Sequence, residues 1–281
     1  MVFGLLAAGI SITGILAARF TIVLAGGAIP GNKTIALSAA LIWIILGSVL
    51  AYQTVKPFGR IAGPGMQVFL VLTAVAAAIE FMFSTIGDHS PLEKFFIRAG
   101  MTIMGPSSSP ISPVAAVLAA IAALSLAAVI RSTGIPGNTT RMRDEASIFG
   151  FLISLVSITF VVSYAYGNPL LYGTDFIPIA FMSALAAFFI GASLIAAAGP
   201  GAFPVKYLVG DSTSARLFRV FVPLVAVTIL AENLIFVGLS SWFSIRDAVL
   251  LSSILVVFVF ATALVVARVS RGMGRALEKV K

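Results

Sequence analysis

The sequence predicts an all-α integral membrane protein with eight transmembrane helices, arranged as four parallel-repeat helical hairpins with both termini cytoplasmic. Three observations carry that expectation. The chain has 281 residues, of which 60% are hydrophobic and only 10% charged, where a soluble domain averages about 45–50% apolar and about 25% charged residues. Its mean hydropathy is +1.12, more apolar side chain than a water-soluble surface can hide. Its basic residues also fall mainly into alternate gaps between the apolar runs.

A spanning helix needs about 20 mostly apolar residues. Eight such runs can be read in order: about Phe3–Leu24, Ile35–Tyr52, Met66–Ile86, Pro113–Ile130, Ile148–Tyr166, Ile177–Ala198, Val220–Leu239 and Ala248–Ala267. The first is expected to be a retained span. Its start lacks Lys and Arg, and the apolar stretch is longer than that of a signal peptide. Breaker clusters such as Gly26-Gly27-Ala28-Ile29-Pro30-Gly31-Asn32 and Gly134-Ile135-Pro136-Gly137-Asn138 separate the runs. Run length, with no alternation of polarity, indicates helices rather than barrel strands.

The charges set the orientation. Gaps after even-numbered spans, together with the C-terminal tail, hold Lys56, Arg60, Arg131, Arg141, Arg143, Lys206, Arg216, Arg219, Arg268, Arg271, Arg275, Lys279 and Lys281, 13 of the 18 basic residues. Gaps after odd-numbered spans hold Lys33, Lys94, Arg98 and Arg246, and Arg19 lies within the first span. The positive-inside rule then places both termini in the cytoplasm. The net charge of +8 is read as cytoplasmic loops facing anionic lipid, not as a nucleic-acid surface.

The third gap, Gly87 to Ser112, is the longest and is expected outside. Within it Ser90-Pro91-Leu92-Glu93 has the pattern of a capping box with proline at the first helical position. The Lys94-Phe95-Phe96-Ile97-Arg98 that follows suits a short helix on the membrane surface. The neighbouring His89 is read as a solvated loop residue. Tyr52, Tyr166, Tyr172 and Trp242 lie near span ends as interfacial anchors.

A spacing pattern recurs in the even spans. Ala39-Ala40-Leu41 is followed by Gly47 and Leu50. Ala115-Ala116-Val117 is followed by Ala123 and Leu126, Ser183-Ala184-Leu185 by Gly191 and Leu194, and Ser253-Ile254-Leu255 by Ala261 and Leu264. Four copies in register suggest hairpin units over about 1–60, 61–131, 145–200 and 211–267, followed by a basic cytoplasmic tail, 268–281. The small residues at helical spacing would let neighbouring backbones approach closely. Two-span units enter with the same orientation, so the repeat is parallel, unlike the inverted repeats of many transporters.

Two segments carry a family likeness. Leu170-Leu171-Tyr172-Gly173-Thr174-Asp175-Phe176-Ile177-Pro178, followed by Ser183-Ala184-Leu185-Ala186-Ala187-Phe188-Phe189-Ile190-Gly191, is one. Gly210-Asp211-Ser212 through Ala215-Arg216-Leu217-Phe218-Arg219 and Pro223-Leu224 is the other. Both resemble the multi-pass N-terminal sensory regions of bacterial and archaeal PAS-containing histidine kinases. The resemblance implies a sensory input module in the cytoplasmic membrane of a bacterium or archaeon. The stretch up to Lys281 holds no PAS domain, phosphoacceptor helix or ATP-binding domain, so kinase activity is not implied.

The absences limit the chemistry. With no cysteine and one histidine, thiolate zinc, iron–sulfur and bis-histidine haem sites are excluded. No nucleophile–base pair is visible, so no enzyme, metal or cofactor is expected. Intramembrane charges are the remaining candidates, because stranding one in hydrocarbon costs a few kcal/mol or more. Arg19, Glu80 and Glu232 fall at similar depths along outward-running spans. Asn233 follows the last of them, and Tyr164 occupies the corresponding place in the third unit. These five residues are expected to form a polar cluster in the outer half of the bundle. Expected partners are the bilayer, with anionic lipid at its cytoplasmic face, and neighbouring membrane subunits or further copies of the chain. The reading of function is a sensory module that signals through its C-terminal helix. An accessory subunit of a larger membrane complex and a small-solute or ion transporter are the alternatives.

Overall fold

The computed structural model describes residues 35–58, 62–104, 109–134, 139–165, 177–203 and 205. Among these the chain forms six α-helices and no strand: α1 (Leu37–Val55), α2 (Ala62–Thr85), α3 (Pro91–Met104), α4 (Pro113–Gly134), α5 (Thr139–Ala165) and α6 (Phe181–Ala198). All but α3 are long and apolar enough to cross a membrane. They correspond to the second through sixth expected spans. The first, seventh and eighth spans, the fourth repeat copy and the tail lie outside the described residues.

Local chemistry accounts for the helix limits. The expected fifth span begins at Ile148, yet α5 begins nine residues earlier, at Thr139. Its charged first turns are made of good helix formers, and Arg141 Nε donates to Glu145 Oε1, one turn on, at 2.9 Å. In contrast, α6 starts four residues later than expected, at Phe181. The residue before a proline is steered away from helical geometry, which keeps Ile177 ahead of Pro178 out of the helix. The Ile179 carbonyl is meanwhile taken by the Tyr164 hydroxyl at 2.6 Å. Gly199, at φ +89°, ends α6 in a conformation suited to glycine.

Helix α4 is the centre, packing against α1, α2, α5 and α6. Its alanines make it thin: Ala115, Ala116, Ala119, Ala122 and Ala123 are all buried, so four neighbours can surround it. Helix α2 packs chiefly on α4. Its buried stripe is Gly63, Leu70, Ala74, Ala77 and Glu80, and its other faces expose Val68, Leu72, Val75, Ile79 and Met82. Large apolar side chains left uncovered along a spanning-length helix are the surface hydrocarbon requires.

The recurrent small residues lie in the contacts between helices. Ala39, Ala40, Ala115, Ala116, Ser183 and Ala184 are buried, as are Gly47 and Ala123, Gly191, and the paired Leu50, Leu126 and Leu194. At the α5–α6 crossing Gly150 meets Gly191 backbone to backbone. A Cβ added at Gly150 would sit 2.8 Å from the Gly191 oxygen. Between α1 and α6, the fully buried Trp43 donates its Nε1–H to Ser183 Oγ at 2.8 Å.

Candidate functional site

The polar groups that link several elements gather where α1, α4 and α6 begin and α2 and α5 end. The geometry begins with the close of α2. Asp88 N–H donates to Phe83 O at 3.1 Å and Gly87 N–H to Ser84 O at 3.3 Å, while Gly87 takes φ +83°. This is a Schellman turn, for which a left-handed glycine is the natural residue. It reverses the chain and carries Asp88, His89 and Ser90 back over the end of α2.

Glu80 receives that turn. Its side chain is 6% exposed; Oε1 lies 2.9 Å from His89 Nδ1, and Oε2 accepts the Ser90 N–H at 2.9 Å. His89 is therefore packed against a buried carboxylate, with its side chain 21% exposed, and is not the solvated loop residue its sequence context suggests. Outside this pair, Lys94 Nζ meets Asp88 Oδ1 at 2.8 Å. The Lys94 hydrogen bond, and next the His89 amide, hold the exposed Asp88 carboxyl below its usual range.

Glu93 forms the second half of the site. As the sequence indicates, Ser90 caps α3: its Oγ accepts the Glu93 N–H at 3.2 Å. The return half of a capping box would bring the Glu93 carboxylate back to the Ser90 amide. Glu80 already occupies that amide. Glu93 instead turns into the bundle, is 5% exposed, and accepts both Ser38 Oγ–H and Ile111 N–H on Oε1, each at 2.8 Å. One carboxylate thus joins α3 to the first turn of α1 and to the segment leading into α4. Burial raises the Glu93 pKa above its ordinary value near 4.5; the two donors oppose the shift and the charge of Glu80 adds to it.

Of the residues expected in the outer cluster, Glu80 is central to the site. Tyr164 lies at the same end of the bundle, with its hydroxyl on Ile179 O and its ring edge-on to Phe181. Arg19, Glu232 and Asn233 lie outside the described residues. Glu93 and Ser38 were not expected. The available signal was register: Glu93, Phe96, Ile97 and Gly100 share one helical face, so a carboxylate sits on the stripe that packs inward. Among the described residues no group of three His, Asp or Glu side chains is placed to hold a metal ion. A cleft of about 200 Å³ between α4 and α5 is lined mainly by Ile121, Leu124, Ala128 and Phe149. Its polar lining is Ser125, whose hydroxyl donates to Ile121 O, and Glu145, which accepts from Arg141.

Removing Glu80 should be costly. Glu80→Ala would leave the buried Ser90 N–H without its acceptor, a loss of about 1–3 kcal/mol, whereas Glu80→Gln retains an acceptor oxygen and should lose less. Thermal unfolding of both variants in detergent checks this. Equal losses would mean that the acceptor for Ser90 contributes nothing and that the carboxylate acts through its other oxygen, the one facing His89.

The fold and site together define a polytopic helical membrane protein in which, among the described residues, the buried carboxylates Glu80 and Glu93 lie at one end of the bundle. No family model, curated protein or solved structure matches the chain.

Proposed function

We propose that the chain is a membrane-embedded sensory input module, which signals to a cytoplasmic effector through its C-terminal helix. In this reading it has eight spans, built as four parallel hairpins, in the cytoplasmic membrane of a bacterium or archaeon. Both termini are inside, and anionic lipid meets the basic loops. The observation that carries the proposal is the Glu93 link. Helix α3 is tied through one side chain to the first turn of α1 and to the segment leading into α4, so a disturbance of α3 reaches both directly. The 13-to-4 loop asymmetry supports the orientation. The equivalent burial of three pattern copies, at Ala39, Ala115 and Ser183, supports the repeat. The likeness to kinase sensory regions supports the sensory role. Arg19 and Glu232 belong to the same proposal as further members of the outer cluster.

The test combines sidedness with transmission. Single cysteines at Leu92 and Arg141 in sealed vesicles should label from opposite faces, with Arg141 inside. Glu93→Ala should then alter protease or label access to the tail, 268–281, by several-fold. An unchanged tail would identify a static scaffold and overturn the sensory reading.

A further inference from the structure

We propose that Glu93 is a proton-operated catch: its Oε2 binds a proton from the external medium while Oε1 keeps Ser38 and Ile111, and loss of that proton loosens α3 from the bundle. This deepens the sensory reading, on which it rests for its orientation and purpose, by naming the stimulus as external proton concentration.

The geometry supports it in three ways. Both donors converge on a single oxygen, Ser38 Oγ and Ile111 N each 2.8 Å from Oε1. The carbonyl oxygen of a protonated carboxyl keeps both of its lone pairs, so Oε2 can gain or lose a proton without breaking either contact, although the two bonds are stronger to the ionised form. Protonation changes the charge of the joint and leaves its connectivity intact. Secondly, Glu93 is 5% exposed, and an ionised carboxylate at that depth is held only by neutral donors, which leaves its desolvation poorly compensated. Thirdly, the ionisable groups around it offset its charge little: of these only His89 favours the ionised form, and its influence is the smallest on the group. Helix α1 brings Ser38 and carries no Asp, Glu, Lys, Arg or His. Helix α2 brings Glu80, which repels. The turn brings His89, committed to Glu80 at 2.9 Å, and Asp88, committed to Lys94 at 2.8 Å. Helix α3 itself adds Lys94 and Arg98, both exposed, and Ser109–Pro113 ahead of α4 contains no ionisable side chain.

The direction follows from linkage. A carboxyl whose folded pKa lies above its unfolded value favours the folded arrangement below the unfolded value, near 4.5, and loses that contribution as pH rises through the folded value. Acid therefore closes the catch and rising pH opens it.

The experiment is backbone hydrogen exchange by mass spectrometry on the full chain in lipid nanodiscs, comparing wild type with Glu93→Gln at each pH. Glutamine keeps an acceptor at Oε1 and cannot ionise. Taking the ratio of the two at one pH cancels the intrinsic dependence of exchange chemistry. Across Pro91–Gly100 the wild-type rate should match Glu93→Gln at about pH 4 and exceed it several-fold by about pH 8. Ser38→Ala removes one donor from the ionised form and should move that rise to higher pH, a displacement that a merely structural contact would not produce. A flat ratio, or a rise that Ser38→Ala leaves in place, overturns the proposal. Exchange in the tail, 268–281, separates the two readings. A pH response in α3 without one in the tail keeps the catch and rejects the sensory module. A response in the tail with a flat ratio in α3 rejects the catch alone.

Discussion

Gly191→Val should be one of the two most destabilising single changes considered for the described helices. A Cβ at Gly191 would fall 2.6 Å from the Gly150 oxygen and 2.8 Å from the Ser154 amide nitrogen, and closer still to Ser154 Oγ. Two of those three atoms are backbone, so no rotamer change relieves the contact, and α5 and α6 must separate. Forcing extra carbon into a closed interface typically costs about 1–3 kcal/mol, occasionally more, and the two branches of valine place this variant above about 3 kcal/mol on the same scale. Gly191→Ala should lie between valine and wild type. Gly65→Ala is the control, because nothing lies within 4 Å of its added carbon; replacing a helical glycine there should gain about 0.5–1 kcal/mol. Denaturant unfolding in mixed micelles measures all three. A Gly191→Val midpoint equal to that of wild type would show that the helices do not cross at this point.

Trp43→Ala should be the other. The indole is fully buried between α1 and α6, and removing such a side chain costs about 3–5 kcal/mol through the cavity it leaves. In lipid this loss is mainly one of packing contacts, since hydrocarbon offers helices little hydrophobic drive to associate. Trp43→Phe isolates the hydrogen bond from the volume. It fills most of the space but leaves Ser183 Oγ without the Nε1–H that approaches it at 2.8 Å. Combining Trp43→Phe with Ser183→Ala should recover part of the loss, because neither partner is then left unmatched. The double-mutant cycle reads the coupling directly, and additive losses would assign Trp43 a purely space-filling role.

These two contacts show how far the residues alone could be read. Gly191 and Ser183 stand out in the sequence as small positions of a recurrent pattern, and both lie in helix contacts. The partner that each one meets was not legible, because a spacing pattern specifies a face of one helix and says nothing of the neighbour. Ser183 therefore receives an indole across 140 residues of chain, while Gly191 receives another glycine. The start of α5 was misplaced for a different reason. Hydropathy marks where a helix enters hydrocarbon, and a helix can begin well before that point when its charged turns form i,i+4 pairs such as Arg141–Glu145.

By itself the sequence determined that the described chain is helical and has five spanning-length apolar segments. Away from water each backbone amide must find its partner within the segment, and about 20 apolar residues leave the α-helix as the local solution. It determined the start of α3 as well, since the cap depends on residues a few positions apart. Only the tertiary structure decided what Glu80, His89 and Glu93 do. Ser90-Pro91-Leu92-Glu93 specifies where α3 starts and leaves the glutamate carboxylate free to go back to its own cap or elsewhere. Glu80, ten residues before Ser90, takes the cap amide, and Ser38 and Ile111, from two other parts of the chain, supply the donors that draw Glu93 inward. The outcome depends on competition for hydrogen bonds among groups that only packing brings together, which is why a capping motif became a joint between helices.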